Sequence, residues 1–186
     1  MSAFRGRLRR AVRLAALAGA LAGTLAFSAC AGVREALAPA PEGMPSGQEG
    51  WLRYTVGQLR FDAPAGWNGS GGPNHLKLER PDGLARLEVS TPEAPLASAA
   101  ACMAEAEQLM KRGDAMKRVR RHPTRFAGLR ALALEGDQGG WQVWAWAACD
   151  GGVQYQVFLT ARTPAPAEVV EVLRALTGGA RVGGDA

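Results

Sequence analysis

Histidine is nearly absent from this chain: His75 and His122 are the only two in 186 residues. The Cys/His/Asp spacings that build zinc sites do not occur. Cysteine is also scarce, at Cys30, Cys102 and Cys149, with no Cys-x-x-Cys pair to support thiol redox chemistry. No Gly-x-Ser-x-Gly nucleophile elbow appears. No Gly-Lys-Ser/Thr phosphate loop appears either, and the glycines of Asn68–Asn74 precede no helix that could cradle a phosphate. A Ser-His-Asp machine would have to use one of the two histidines with a nucleophile that no motif marks. Spacing thus offers no catalytic residues, no metal ligands and no cofactor. An uninterrupted apolar run long enough to span a bilayer as a helix, about 20 residues, is missing as well.

The charge is lopsided. The formal net charge is +5, yet Arg5, Arg7, Arg9, Arg10 and Arg13 fall in residues 1–29, which hold no acid. Of the 22 basic residues this leaves 17, against 17 acidic ones, so the remainder of the chain is formally neutral. A general nucleic-acid-binding role loses its electrostatic footprint.

The same arginines open a three-part leader. An Arg-rich start, Met1–Arg13, is followed by the uncharged apolar stretch Leu14–Phe27 and the small residues Ser28 and Ala29. This is the layout of a secretory signal, with the positive flank held inside and the rest sent outward. The segment Leu25-Ala26-Phe27-Ser28-Ala29-Cys30 resembles the lipobox of bacterial lipoproteins, although Phe27 stands where Leu is usual. The resemblance implies that Cys30 receives a diacylglyceryl thioether, becomes the mature N-terminus and anchors the protein to a membrane. Ala31, where an inner-membrane retention signal often has Asp, implies the outer membrane by the same resemblance. The alternative is ordinary cleavage near Ala26-Phe27-Ser28 or Ala29-Cys30-Ala31, which yields a soluble secreted or periplasmic chain. Residues 30–50, rich in Ala, Pro, Gly and Glu, read as a flexible tether.

A folded domain is expected over residues 51–179, with 180–186 as a disordered tail. Tyr54–Phe61 reads as one strand, closed by the turn Asp62–Trp67, and Asn68–Asn74 reads as a Gly-rich loop. Leu76–Arg80 and Leu84–Ser90 form a hairpin about Pro81-Asp82-Gly83. A helix is expected over Leu96–Arg112, with Ala99, Cys102, Met103, Ala106, Leu109 and Met110 as its apolar stripe and Gly113 as C-cap. Strands at Val119–Thr124, Leu129–Glu135, Trp141–Cys149 and Val153–Ala161 follow, the last three an antiparallel meander turning at Asp137–Gly140 and Asp150–Gly152. The chain closes on a helix over Pro164–Leu176, with Thr163 as N-cap, Gly178 as stop and a stripe of Val169, Val170, Leu173 and Leu176. Strand, hairpin, helix, meander, helix is an α+β order with helices packed on an antiparallel sheet.

Leu59-Arg60-Phe61-Asp62-Ala63-Pro64-Ala65-Gly66-Trp67 and Phe126-Ala127-Gly128-Leu129-Arg130-Ala131, together with the closing amphipathic helix, resemble the PsbP-like (DcrB-like) superfamily over about residues 52–178. The resemblance implies an α/β/α sandwich. Members include lipoproteins, photosystem-associated extrinsic proteins and small binding proteins, and many lack enzymatic activity, so the fold alone does not set the function.

Three groups of residues remain. Cys102 and Cys149, carried into an oxidising compartment, are expected to pair in a disulfide; two separate buried thiols are the alternative. Trp144 and Trp146 share one strand face and Trp141 takes the other; one set belongs to the core, and the other could line a groove for an apolar ligand. Lys111, Arg112, Lys117, Arg118, Arg120, Arg121, Arg125 and Arg130 form a basic cluster. It could meet an envelope protein or an anionic surface, or serve as the solvated edge of a sheet. The function expected is non-enzymatic binding by a lipid-anchored envelope protein, with a carrier of a small apolar ligand or an unrecognised envelope hydrolase as alternatives.

Overall fold

The computed structural model describes residues 42–111 and 116–183. The leader, Cys30, the first part of the tether, Arg112 and the expected C-cap Gly113 lie outside the described residues.

The clearest strand pattern forms the centre of the molecule. β7 (Lys117–Phe126), β8 (Leu129–Gln138), β9 (Trp141–Asp150) and β10 (Val153–Arg162) are ten residues each and fold back on one another as an antiparallel meander. In β10, Tyr155, Val157, Leu159 and Ala161 alternate into the core, the period that a pleated strand imposes. The hairpin β5 (His75–Glu79) and β6 (Ala85–Ser90) turns at Pro81-Asp82-Gly83 as expected, and β6 pairs with β10.

The Asn68–Asn74 segment corrects the expectation of a loop. Asn68–Gly72 is strand β4, paired with β5 and closing a seven-stranded sheet of order β4-β5-β6-β10-β9-β8-β7. Ladder hydrogen bonds need only backbone, so an outer strand can be made of glycines that no propensity favours. Gly71 is required at its position. A Cβ there would collide with the His75 carbonyl oxygen.

Tyr54–Phe61 likewise divides. β2 (Trp51–Val56) and β3 (Leu59–Pro64) form a hairpin with Val56 opposite Leu59, reversing at Gly57-Gln58, where Gly57 takes a φ of 58°. The sign lay in the phase of the pattern. Tyr54 and Val56 are buried at even positions and Leu59 and Phe61 at odd ones, a slip that a single strand cannot absorb.

Both expected domain borders also move. β1 (Met44–Pro45), placed in the tether, pairs with β2, and β11 (Arg181–Val182), placed in the tail, pairs with β3, giving a second sheet of order β1-β2-β3-β11. Ala180, between the last helix and β11, is buried. Two-residue strands show no alternation, so nothing in the local pattern announces them.

Two helices complete the architecture. α1 (Ala99–Lys111) starts three residues later than expected, because the Ser98 side chain accepts the Ala101 N–H at 3.1 Å and its carbonyl accepts the Cys102 N–H at 3.0 Å. Cys102, Ala106 and Met110, one turn apart, are its buried face. α2 (Ala167–Gly179) has Pro166 as N-cap in place of Thr163 and runs through Gly178. The Thr163 N–H is already bonded to the Gly140 carbonyl, which keeps that residue with the sheet. Its buried face is Val169, Val172 and Leu176, at helical spacings of three and four; Val170, assigned to the stripe from sequence, is 45% exposed.

The large sheet separates two cores. On one face, Leu134, Val143, Ala145 and Ala147 pack with Ala106 and Met110 of α1. On the other, Leu76, Leu87, Trp144, Trp146, Tyr155 and Val157 pack with residues of the small sheet and with Val169, Val172 and Leu176 of α2. The class is α+β, an antiparallel sheet with helices packed on it, as the element order implied.

Candidate functional site

Cys102 and Cys149 are joined in a disulfide, with their Cα atoms 6.1 Å apart. The bridge ties the first turn of α1 to the end of β9, across 47 residues of chain. Beside it the amide of buried Gln154 donates to the Cys102 carbonyl at 3.3 Å, and Gln156 donates to the Gln154 side-chain oxygen at 2.5 Å. A polar group this deep costs stability unless it is bonded, so the pair fixes how the helix start sits on β10.

Trp144 and Trp146 are core residues, each 7% exposed, and the Trp146 ring stacks on Phe126 with centroids 5.4 Å apart. The contact role set out for them on an open groove is therefore corrected. Both tryptophans point into the layer shared with the small sheet and α2, where burial of aromatic area stabilises the fold. Trp141, on the opposite face, lies beneath the Arg162 guanidinium at 4.7 Å from the ring centroid, its direct cross-strand partner.

The basic cluster is also reorganised by folding. β7 is the outer strand of the large sheet, as the edge reading required. Arg118, in a bulge where its φ is 52°, bonds Asp137 at 2.9 Å, and Arg120 bonds Glu135. The Arg121 Nε donates to the Met110 carbonyl at 3.0 Å, so that guanidinium caps the C-terminal end of α1. The three arginines singled out as a contact surface are thus engaged with β8 and α1, because the sheet register sets acids of β8 beside basic β7. His75 lies on β5 and His122 on β7, and among the described residues no group of three or more metal-ligating side chains comes together.

Two further surfaces carry charged side chains beside a concavity. On the helix-bearing face of the large sheet, beyond α1, β5 and β6 expose a ladder of alternating charge. Lys77 bonds Glu79 at 2.8 Å, Arg86 reaches Glu88 at 3.4 Å, and Arg86 approaches Glu79 at 3.8 Å. The hydrogen bond from Lys77 is the main reason that the Glu79 carboxyl is held below its ordinary value. Next to the ladder a concavity of about 340 Å³ runs to Gln138, Trp141, Val143 and Thr160.

The outer face of the small sheet differs in charge. Arg53 grips Asp62 through two hydrogen bonds of 2.9 and 3.2 Å. Arg60 lies directly opposite Arg181 in the ladder between β3 and β11. Arg181 donates to the Gly178 and Ala180 carbonyls at the end of α2, at 3.1 and 2.6 Å. These four side chains line a concavity of about 430 Å³, with Phe61, Gly179, Val182 and Gly183. Sequence reading did not single out Arg53, Arg60 or Arg181. Arg53 fell just before the assumed strand, Arg60 inside it and Arg181 inside an assumed tail, so no spacing joined them.

The cyanobacterial PsbP of Synechocystis (CyanoP) superposes with a TM-score of 0.54 and 15% identity over 77% of this chain and 98% of its own. The fold is PsbP-like. A protein of Bacteroides thetaiotaomicron aligns with a TM-score of 0.51 and 11% identity over 74% of this chain, which spans half of that protein's length (50%). LpqN of Mycobacterium tuberculosis, described as involved in cell envelope biogenesis, gives a TM-score of 0.44 and 8% identity over 68% of this chain and 83% of its own. No protein-family model matches the chain, and no curated protein matches it in sequence. At these identities the PsbP-like likeness defines the architecture, and function has to be argued from the chain's own residues.

Proposed function

We propose that this chain is a bacterial lipoprotein of the cell envelope, anchored through Cys30, whose PsbP-like domain acts by binding at its surface and not by catalysis. The observation that carries the reading is the Cys102–Cys149 disulfide in a domain that follows a lipobox-like leader. Such bonds persist in oxidising compartments and are rare in the cytosol, so the bridge and the leader point the same way. Ala31 after the anchor favours the outer membrane. The binding reading is supported by the filling of the two cores: Trp144 and Trp146, the side chains best suited to hold an apolar ligand, are packed against protein. That weighs against a carrier. Engagement of a partner then falls to the outer surfaces.

The test is fractionation with mass spectrometry. Cys30→Ala is expected to move the protein from membranes to the soluble fraction, and the wild-type mature chain is expected to begin at an acylated Cys30. A mature chain that starts elsewhere without acyl groups would support the soluble secreted alternative and end the anchor.

A further inference from the structure

We infer that the concavity between the charged ladder and Trp141, on the helix-bearing face of the large sheet, is a binding site for a neutral sugar ring. The inference rests on the reading that the domain acts by binding at its surface, and on no part of the anchor at Cys30.

The floor of the concavity is one row of cross-strand partners. Glu79 pairs with Arg86, Arg86 with Thr160 and Thr160 with Val143, across β5, β6, β10 and β9. Three interstrand steps of about 4.8 Å make the row about 14 Å long. Gln138 and Trp141, themselves cross-strand partners on β8 and β9, stand beside its far end. Val143 belongs both to the core beneath α1 and to the lining, so the concavity opens where the cover of the helix stops. Its volume of about 340 Å³ falls in the lower part of the range for small-ligand sites, about 300–1,000 Å³.

The hydrogen-bonding groups select the ligand class. Glu79 and Arg86 approach each other at 3.8 Å, and each has a further ion-pair partner, Lys77 at 2.8 Å and Glu88 at 3.4 Å. One carboxylate and one guanidinium leave the lining without net charge, so it favours neither an anion nor a cation. The Gln138 amide and the Thr160 hydroxyl make no side-chain hydrogen bond to another described residue. A wholly apolar ligand would cut them off from water and leave them unbonded, which costs free energy. Hydroxyl groups both donate and accept, and so can satisfy an amide, a hydroxyl and the rim of an ion pair together.

Trp141 supplies the apolar part. The Arg162 guanidinium lies over its ring at 4.7 Å and does not line the concavity, so the concavity meets the rest of the half-buried indole. The C–H bonds of a pyranose form a small apolar surface that packs on an indole, while its hydroxyls point outward to polar groups. An extended peptide is a poorer fit. The five strands that frame the concavity, β5, β6, β8, β9 and β10, are all interior to the sheet, so no free edge offers a ladder to a peptide backbone.

The test titrates the whole chain, its disulfide intact, with glucose, galactose, N-acetylglucosamine, maltose, lactose and chitobiose. Binding is followed by nuclear magnetic resonance at the side-chain N–H signals of Trp141 and Gln138. Saturable shifts of both signals are expected with at least one sugar. A disaccharide that binds more tightly than its monosaccharide identifies a glycan chain as the source, and equal affinities identify a free sugar. Thr160→Val, which keeps the side-chain shape, and Gln138→Ala are each expected to weaken binding about fivefold, the loss of one neutral hydrogen bond. Glucose 6-phosphate is expected to bind no more tightly than glucose. Absence of a saturable shift with all six sugars, undiminished affinity in both variants, tighter binding of the phosphate, or equal shifts produced by tetraglycine would overturn the inference. Those signals report on this concavity alone, so such a failure leaves the anchor to be judged by the mass of the wild-type N-terminus.

Discussion

Reduction of the Cys102–Cys149 bond is the sharpest perturbation that the structure offers. The bond closes a loop across a sequence separation of 47 residues. On the chain-entropy model a loop of that size stabilises the native state by about 4 kcal/mol, because the reduced unfolded chain regains the freedom that the cross-link removed. Domains of this size have a total stability of roughly 5–15 kcal/mol, so reduction takes away a large share without guaranteeing loss of the fold. The contacts of α1 that remain include Ala106 and Met110 on the large sheet, the hydrogen bond from Gln154 to the Cys102 carbonyl and that from Arg121 to the Met110 carbonyl. The assay is urea unfolding of the protein with and without reductant, followed by tryptophan fluorescence, which reports on buried Trp144 and Trp146. The midpoint is expected to fall on reduction while the slope m rises, since the reduced unfolded chain exposes more surface. Thermal melting is expected to drop by about 10 °C or more. Thiol labelling in denaturant must find no free Cys102 or Cys149 before reduction and both afterwards. An unchanged midpoint despite complete labelling would refute the view that this cross-link holds α1 to the sheet. Two reactive thiols in the unreduced chain would refute the bond itself.

Two more expectations follow from the core. Trp146→Ala is expected to cost about 3–5 kcal/mol in urea melts, the range for deleting a large buried aromatic; a loss below about 1 kcal/mol would return Trp146 to the role of a groove-lining side chain. Burial raises the phenol pKa of Tyr54 and of Tyr155, with the nearby Asp150 charge adding to the effect at Tyr155, from an ordinary value of 10.0. Their neutral forms are favoured in the folded state, so stability is fully present below pH about 10 and is lost as pH rises further. Tyr155→Phe is expected to flatten that alkaline loss in thermal melts, and an alkaline profile identical to wild type would remove burial of this phenol as its cause.

The grouping of basic side chains is where folding changed the picture most. In sequence the conspicuous basic residues were Arg118, Arg120 and Arg121, because they are consecutive or nearly so. In the fold, the register of β7 on β8 brings Asp137 and Glu135 to the first two, and the end of α1 takes the third. The arginines that do gather around an open concavity, Arg53, Arg60 and Arg181, come from three strands.

By itself the sequence determined whatever depends on neighbours along the chain. The run of arginines followed by an uncharged apolar stretch and Cys30 is one such feature. Others are the period-two burial of β10, the turn at Pro81-Asp82-Gly83, and the Cys102, Ala106 and Met110 stripe of α1. These are encoded locally, because side-chain direction follows the periodicity of the backbone. Only the tertiary structure decided the rest: that Asn68–Gly72 pairs as an edge strand, that Met44–Pro45 and Arg181–Val182 flank the β2–β3 hairpin, and that Arg181 lies opposite Arg60. Those outcomes depend on ladder hydrogen bonds between distant backbone segments, whose donors and acceptors are the same for nearly every residue type and therefore leave no mark in the sequence.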